Sequence, residues 1–362
     1  MLISINASAA FKKLRTGVEE YTYQLIKHLS ELEQSKKHNF VLYTDKTDEL
    51  FSSQLPNNFE IKRLKWLFPM WTQVRLATQI VFDKQDVLFI PVHILPQTHP
   101  KNSVVTIHGL EYEYYPKMYP YKHLMYLRWS AKYALKHARK IIAVSENTKK
   151  DLVELYNVNP DKIKVIYHGV DKDYLKQKNI IFEKSHKFVP YILFIGRLET
   201  KKNINGLISA FELLKRNYKV PHKLVLVGPR GYLASRHTFG FSGNDVVEFG
   251  YASEQQKWSL LKNADLFILP SFYEGFGIPI LEAQTAKCPV ITSDVSCMPE
   301  IAGQGALLIN PNNVEQIAEM MYKVISSKEL KKDLIIKGEQ NLKRFSWQKN
   351  ALETLNILTE IE

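Results

Sequence analysis

Two short segments place charged side chains where apolar runs end. In Phe194-Ile195-Gly196-Arg197-Leu198-Glu199-Thr200-Lys201-Lys202-Asn203 an apolar run stops at Gly196, and Arg197 and Lys202 follow before a helical pattern begins. Arg offers a planar fork of donors and Lys a compact point charge, so beside a helix N-terminus the two suit a diphosphate. A solvated basic loop is the plainer alternative. In Pro270-Ser271-Phe272-Tyr273-Glu274-Gly275-Phe276-Gly277-Ile278-Pro279-Ile280-Leu281-Glu282-Ala283 a second run enters a turn in which Gly275 and Gly277 flank Phe276. Glycines there let backbone N–H groups approach an anion or a sugar hydroxyl. Glu274 precedes the helix and Glu282 lies about a turn inside it, which puts both carboxylates within reach of one crevice. Vicinal hydroxyls, as on a ribose or a hexose, are natural partners for such acids. Complementing the helix dipole is worth only ~0.3–1 kcal/mol and does not require two acids around a Gly-x-Gly turn. A third segment, Val104-Val105-Thr106-Ile107-His108-Gly109-Leu110, ends an apolar run on His108. At a strand's carboxyl end that ring can hydrogen-bond a reacting sugar, or it can be an ordinary structural histidine.

The elements that must carry these residues follow from periodicity. Strands are predicted at 2–6, 40–44, 61–64, 87–91, 104–108, 140–145 and 163–168, and again at 191–196, 223–228, 246–250, 266–270 and 289–293. Helical patterns lie between them, at 18–32, 122–137 and 146–156, then at 204–216, 254–263, 278–285 and 314–325. Continuously apolar strands are buried on both faces, so the sheets are parallel and flanked by helices. Strand–helix alternation builds βαβ units, whose ligands bind at the carboxyl ends of the strands. A dozen strands fit two doubly wound domains better than one sheet. The charged, aperiodic stretch 170–187 marks the boundary, giving domains at 1–170 and 171–344. Two more helical stretches, 329–343 and 347–361, close the chain. The latter has no strand after it, and as part of a segment 345–362 it is expected to pack back across the domains onto the first.

The composition agrees. A chain of 362 residues is long for one core, and 45% hydrophobic with 24% charged residues describes a globular protein. Two cysteines, Cys288 and Cys297, cannot build a disulfide framework or a four-ligand zinc site, which fits a reducing compartment. The start Met1-Leu2-Ile3-Ser4-Ile5 has no basic n-region, and apolar runs stay well short of the ~20 residues of a bilayer span. A cytoplasmic protein is expected. The net charge is +12, of which residues 1–170 carry +8, and this favours anionic partners. Nucleic acid is excluded as a partner because no recognition helix, RNP-type aromatic motif or zinc ligand set accompanies the charge.

The chain resembles family 4 of the retaining glycosyltransferases, of the two-Rossmann-domain GT-B class. The resemblance rests on Glu274-x7-Glu282, on Gly196-Arg197 with Lys202-Asn203, and on the runs 141–148, 165–171, 226–229, 298–303 and 345–347. It implies an α/β GT-B fold, two doubly wound domains facing a central cleft. Glu274 and the N–H groups of Gly275, Phe276 and Gly277 would then hold the donor sugar, and Glu282 the ribose. Arg197 and Lys202 would neutralise the departing diphosphate, with Gly196 allowing the turn. His108 would stand near the donor sugar, Gly17 of the first loop near the phosphates, and backbone groups around Tyr251 near the base. The chain departs from the family's pattern at Gly109, where many relatives carry Asp after His, and at Thr16-Gly17, where a double glycine is frequent.

The resemblance leans toward mannosyltransferases of cell-surface polysaccharide, which implies GDP-mannose as donor. UDP-hexose or dTDP-rhamnose transfer, and sugar-nucleotide 2-epimerisation, are the alternatives. Neither a cofactor nor a metal is expected, since no Asp-x-Asp motif sits at a strand end and the basic pair can take its place. Front-face attack with retention, the usual account for the family, needs neither a general base nor a covalent nucleophile. On the acceptor side, Lys62-Arg63-Leu64-Lys65-Trp66-Leu67-Phe68-Pro69-Met70-Trp71 mixes basic and aromatic residues as interfacial segments do. With Lys12, Lys13, Arg15, Arg128, Lys132, Lys136 and Arg139 it would suit a lipid-linked glycan acceptor at an anionic membrane.

Overall fold

The computed structural model describes residues 1–13, 15–68, 70–171, 190–231 and 244–361. Most of the expected boundary 170–187 lies outside the described residues. The chain forms two compact units, Met1–Gly169 with Ser346–Glu362 and Val170–Phe345.

In the first unit seven strands are all parallel: β1 (Leu2–Asn6), β2 (Asn39–Thr44), β3 (Phe59–Arg63), β4 (Val87–Ile90), β5 (Ser103–Ile107), β6 (Lys140–Ala143) and β7 (Ile163–Val165), in the order β3-β2-β1-β4-β5-β6-β7. Their helices are α1 (Gly17–Glu31), α2 (Glu49–Ser53), α3 (Ala77–Phe82), α4 (Glu111–Tyr114), α5 (Tyr121–His137) and α6 (Glu146–Tyr156). The apolar runs divide with the period of two that a pleated strand imposes. Ile3, Ile5, Phe40, Leu42, Val87 and Phe89 join one core with Tyr21, Leu25 and Leu29 of α1. Val41, Tyr43, Leu88, Ile90, Val105 and Ile107 join another with Ile80 of α3 and Leu124, Leu127 and Ala131 of α5.

Among its described residues the second unit has six parallel strands, β8 (Tyr191–Ile195), β9 (Lys223–Val227), β10 (Val246–Gly250), β11 (Leu266–Leu269), β12 (Val290–Ser293) and β13 (Leu307–Ile309), in the order β10-β9-β8-β11-β12-β13. Around them lie α7 (Ile204–Tyr218), α8 (Glu254–Asn263), α9 (Ile278–Thr285), α10 (Met298–Ala302), α11 (Val314–Ser326) and α12 (Lys328–Asn341). The last helix, α13 (Trp347–Thr359), belongs to the first unit, where Trp347, Ala351, Leu355 and Leu358 enter the core that α1 covers.

Strand ends differ from the expected ones where a polar side chain recruits the backbone. Ser145 leaves β6 to cap α6, its Oγ accepting from the Thr148 N–H at 3.0 Å. His108 lies just past β5, which ends at Ile107. The short strand β13 was not anticipated: three residues give too little periodicity to read.

Candidate functional site

Both sheets reverse their strand order at one place, between β1 and β4 and between β8 and β11. Ligands of open α/β sheets bind outside the carboxyl ends of strands at such switch points. In the second unit the two strands that meet there are the ones leading into Gly196-Arg197 and into 270–277.

The loop after β8 is fixed by its neighbours. Gly196 donates its N–H to the Val227 carbonyl at 2.9 Å, and Leu198 to Pro229 at 2.9 Å. Gly228 lies against Gly196 at φ +136°, and a Cβ built on it would stand 2.1 Å from the Gly196 carbonyl oxygen. Only glycine lets the ends of β8 and β9 approach this closely. The chain then makes a 3-10 turn at Thr200–Lys202, and Asn203, left-handed at φ +56°, starts α7 with its Nδ2 donating to Pro311 O at 2.6 Å.

The loop after β11 is joined to that turn by Phe272 N–H donating to Lys201 O at 2.8 Å. Lys202 Nζ forms an ion pair with Glu274 Oε1, both side chains largely buried, and Ser271 Oγ donates to the same oxygen at 2.7 Å. The backbone of Glu274 is held as well, its carbonyl accepting from Ser296 Oγ at 2.7 Å and Cys297 Sγ at 3.0 Å. Gly277, left-handed at φ +91°, turns the chain into α9, with Pro279 in its first turn. Phe276 is buried edge-on to Phe345, 5.9 Å between centroids.

The expected residues therefore do not all come together. Lys202 and Glu274 come together. Glu282 takes a different cation, Lys257 of α8, whose Nζ reaches Glu282 Oε1 at 2.6 Å and Glu254 Oε1 at 2.8 Å. Burial pulls the Lys257 pKa down, but the two carboxylates outweigh it and hold the ammonium above the ordinary lysine value. The two acids thus do not stand as an open pair; each already holds a lysine. Arg197 is half-exposed, with Nε 3.6 Å from Glu199 Oε1 rather than beside Glu274. Tyr251 follows β10 with its ring exposed. Lys257, Ser271 and Cys297 went unrecognised in the sequence; only Glu254 and Lys257, three apart on a helix, left a trace there.

His108 and Gly17 belong to the first unit. His108 Nε2 lies 2.7 Å from the Pro91 carbonyl. A carbonyl only accepts, so Nε2 carries the proton and Nδ1 of the neutral ring remains an acceptor. Burial pulls the His108 pKa down to about 4, partly opposed by that hydrogen bond. Its ring packs edge-on to Tyr21 at 4.8 Å, and Tyr21, His168 and Trp347 continue the cluster. Burial also depresses the pKa of His93 and His168. Gly17 opens α1 behind Thr16, and a Cβ there would meet nothing within 4 Å. Of the first-loop cations, Lys12 pairs with Glu19 at 2.8 Å, and Arg15 pairs with Glu20 at 3.3 Å and lies over the Tyr23 ring.

The histidines make a prediction. Below the unfolded pKa of about 6.5 the unfolded chain binds protons that these buried rings refuse, so stability falls with pH. For His108 the loss runs from about pH 6.5 to its folded pKa of about 4, at up to about 1.4 kcal/mol per pH unit. Urea unfolding across this range should show the slope, and His108→Gln should flatten it; an unchanged slope in that variant would show that His108 is not the cause.

Among the described residues no three His, Cys, Asp or Glu side chains gather as a metal site would require, and no helix is long and apolar enough to cross a membrane. The two parallel sheets, each with its own switch point, define a doubly wound α/β protein of two units. Residues 15–174 match glycosyltransferase family 4, and residues 176–341 match the glycosyl transferases group 1. The chain belongs to this family of GT-B glycosyltransferases. It is similar to O-antigen chain mannosyltransferase B of Escherichia coli, at 25% identity over 97% of this chain and 98% of that one. It is 28% identical to the O-antigen chain mannosyltransferase RfbU of Salmonella typhimurium, over 76% of this chain and 71% of that one. The solved structure of WaaG, a glycosyltransferase involved in lipopolysaccharide biosynthesis, superposes with a TM-score of 0.71 at 17% identity, covering 99% of this chain and all of that one.

Proposed function

We propose that this glycosyltransferase moves mannose from GDP-mannose to a glycan or lipid-linked glycan in cell-surface polysaccharide synthesis, with retention at the anomeric carbon and without a metal. The observation that carries the reading is the Lys202–Glu274 pair, set where β8 and β11 diverge and beside the Gly275–Gly277 turn. The choice of mannose rests on the relatives, two of which are O-antigen mannosyltransferases by name.

In this reading the bond between the anomeric carbon and the diphosphate oxygen breaks, and its electron pair leaves with the phosphate. The acceptor hydroxyl oxygen bonds the same face of that carbon, and its proton passes to the departing phosphate oxygen. Lys202, with three N–H donors, can keep Glu274 and still donate to that phosphate. Arg197, half-exposed and five residues earlier in the same loop, would add the second cation. Fixed donors aimed at developing negative charge are the strongest electrostatic aid a site can give. Glu274 and the N–H groups of residues 275–277 would hold the sugar hydroxyls. Glu282, whose carboxylate Lys257 orients, would take the ribose, and residues near Tyr251 the base. In the first unit, neutral His108 would accept a sugar hydroxyl through Nδ1, and the open space at Gly17 would leave room for the phosphates.

A thermal-shift panel of GDP, UDP, dTDP and ADP tests the donor, since a ligand of the folded state raises the melting temperature. GDP should give the largest shift. With GDP-mannose and an acceptor glycan, transfer should yield an α-linked product and persist in EDTA. Loss of transfer in EDTA would defeat the metal-independent reading. Conversion of a sugar nucleotide without acceptor would instead identify an epimerase.

A further inference from the structure

At the switch point of the first unit β4 and β5 run side by side, and the loops leaving their carboxyl ends gather a second group of polar side chains. The loop after β4 carries His93. The loop after β5 carries His108 and then Glu111, at the start of α4. Glu111 Oε1 accepts from Tyr119 Oη at 3.2 Å, and the Tyr119 ring lies parallel to that of His123, 6.1 Å between centroids. The Glu111 carboxylate is near enough to both His93 and His108 for its charge to oppose the effect of burial on them. Two residues along, Glu113 is committed to the fold, accepting from Arg128 Nε at 2.9 Å and Tyr156 Oη at 2.5 Å. His93 Nε2 is buried and has no hydrogen-bond partner among the described residues. Folded proteins pair nearly all such atoms, and an unpaired one is destabilising, so this nitrogen suits a ligand that supplies the missing partner.

The chemistry of the group decides what it can take. Residues 1–170 carry +8, yet the ionisable groups that act on His108 are His93, Glu111 and Glu19, and Glu19 already holds Lys12. Burial keeps the rings of His93 and His108 neutral, so each offers one donor and one acceptor nitrogen rather than a positive charge. A phosphate brought here would face the carboxylates of Glu111 and Glu19, like charge against like. Sugar hydroxyls fit better, because each can both donate and accept. A carboxylate has lone pairs for about four donors, so Glu111 can keep Tyr119 and still take two adjacent hydroxyls.

From this we infer that Glu111 and His93 form a subsite that binds the acceptor as an uncharged sugar, through adjacent hydroxyls, and discriminates against a phosphate in the same place. Tyr119 is a positioning residue that orients the Glu111 carboxylate. The inference rests on the proposed glycosyl transfer and narrows its acceptor to one whose terminal residue is a neutral sugar.

Acceptor kinetics test it, with the sugar nucleotide whose nucleotide gives the largest thermal shift as donor. The acceptors are the methyl α-glycosides of mannose, galactose and N-acetylglucosamine, with farnesyl phosphate as the anionic counterpart. The parent chain should use at least one glycoside with a kcat/KM about tenfold or more above that for farnesyl phosphate. Glu111→Gln keeps the size of the side chain and can still accept from Tyr119. It should raise the KM for that glycoside about tenfold or more, change kcat by less than about threefold, and narrow the preference over farnesyl phosphate. A merely structural role would weaken both acceptors alike. His93→Met removes the orphan nitrogen, so the melting temperature should hold or rise while the glycoside KM rises about threefold or more. Nucleotide-induced thermal shifts should match the parent in both variants, since neither residue is among those assigned to the nucleotide. Use of farnesyl phosphate in preference to every glycoside, or an unchanged glycoside KM in Glu111→Gln, would overturn the inference while leaving glycosyl transfer standing. Absence of turnover with every sugar nucleotide and every acceptor would defeat the transfer reading itself, and the subsite with it.

Discussion

Lys202→Ala should slow turnover by about 10²-fold or more, the loss seen when one donor to a developing oxyanion is removed. Among the described residues Lys202 is the one cation paired with Glu274, and its loop is tied to the loop after β11 through Phe272 N–H and Lys201 O. The substitution has a second consequence that must be separated from the first. It leaves Glu274 largely buried without its counter-charge, and breaking a buried pair from one side is costly. The double variant Lys202→Ala, Glu274→Gln removes that orphan charge and should recover stability without recovering turnover. Arg197→Ala should slow turnover comparably, yet leave stability within about 0.5 kcal/mol, because its guanidinium is half-exposed and only 3.6 Å from Glu199. Turnover near that of the parent in both single variants, measured at saturating donor, would remove the assigned phosphate role.

The second large effect is expected from a residue without a side chain. Gly228→Ala places a methyl group 2.1 Å from the Gly196 carbonyl oxygen at a backbone φ of +136°. The conformation costs about 1–3 kcal/mol and the clash about 1–3 more, so a loss of about 2–5 kcal/mol should appear as a lower denaturant midpoint. The damage should not stay local. Gly196 donates to Val227 and Gly228 to Gly250, so the loops bearing Arg197 and Tyr251 shift with it. Nucleotide affinity should therefore fall under conditions where the variant is still folded. Gly17→Ala is the control, since open space surrounds that position and stability should hold. A Gly228→Ala protein of parental stability would refute the close-approach account.

How much could be read beforehand depended on whether the signal was local. The alternation of apolar runs and helical patterns located twelve of the thirteen strands among the described residues closely enough to put Gly196, Glu274 and His108 at carboxyl ends, because the strands that lead to them, β8, β11 and β5, are buried on both faces. Glu274 and Glu282 stood out as a motif because they lie only eight positions apart in the chain. Their partners did not: Lys257 comes from another helix, and only the packing of α8 beside α9 brings it to Glu282. The His108–Tyr21–His168–Trp347 cluster draws on four distant stretches and has no local signature at all. Likewise the basic loop residues looked equivalent in sequence, while the fold occupies Lys12 and Arg15 and leaves Arg63 and Lys65 outward. Periodicity reports which face of an element is buried, not which neighbour waits there.

Helix α13 gives the chain an unusual order of completion. Trp347 stacks on His168 at 5.8 Å, and Asn350 Nδ2 donates to Tyr167 O at 2.8 Å, so the seven-stranded unit finishes with residues made after the whole six-stranded unit. In topological terms the second unit is an insertion in the first. As a chain emerges from the ribosome, residues 190–345 have everything they need to close their own core, whereas the earlier-born sheet waits with one face of α1 uncovered until the final helix arrives. The half that is synthesised first is thus the half that matures last.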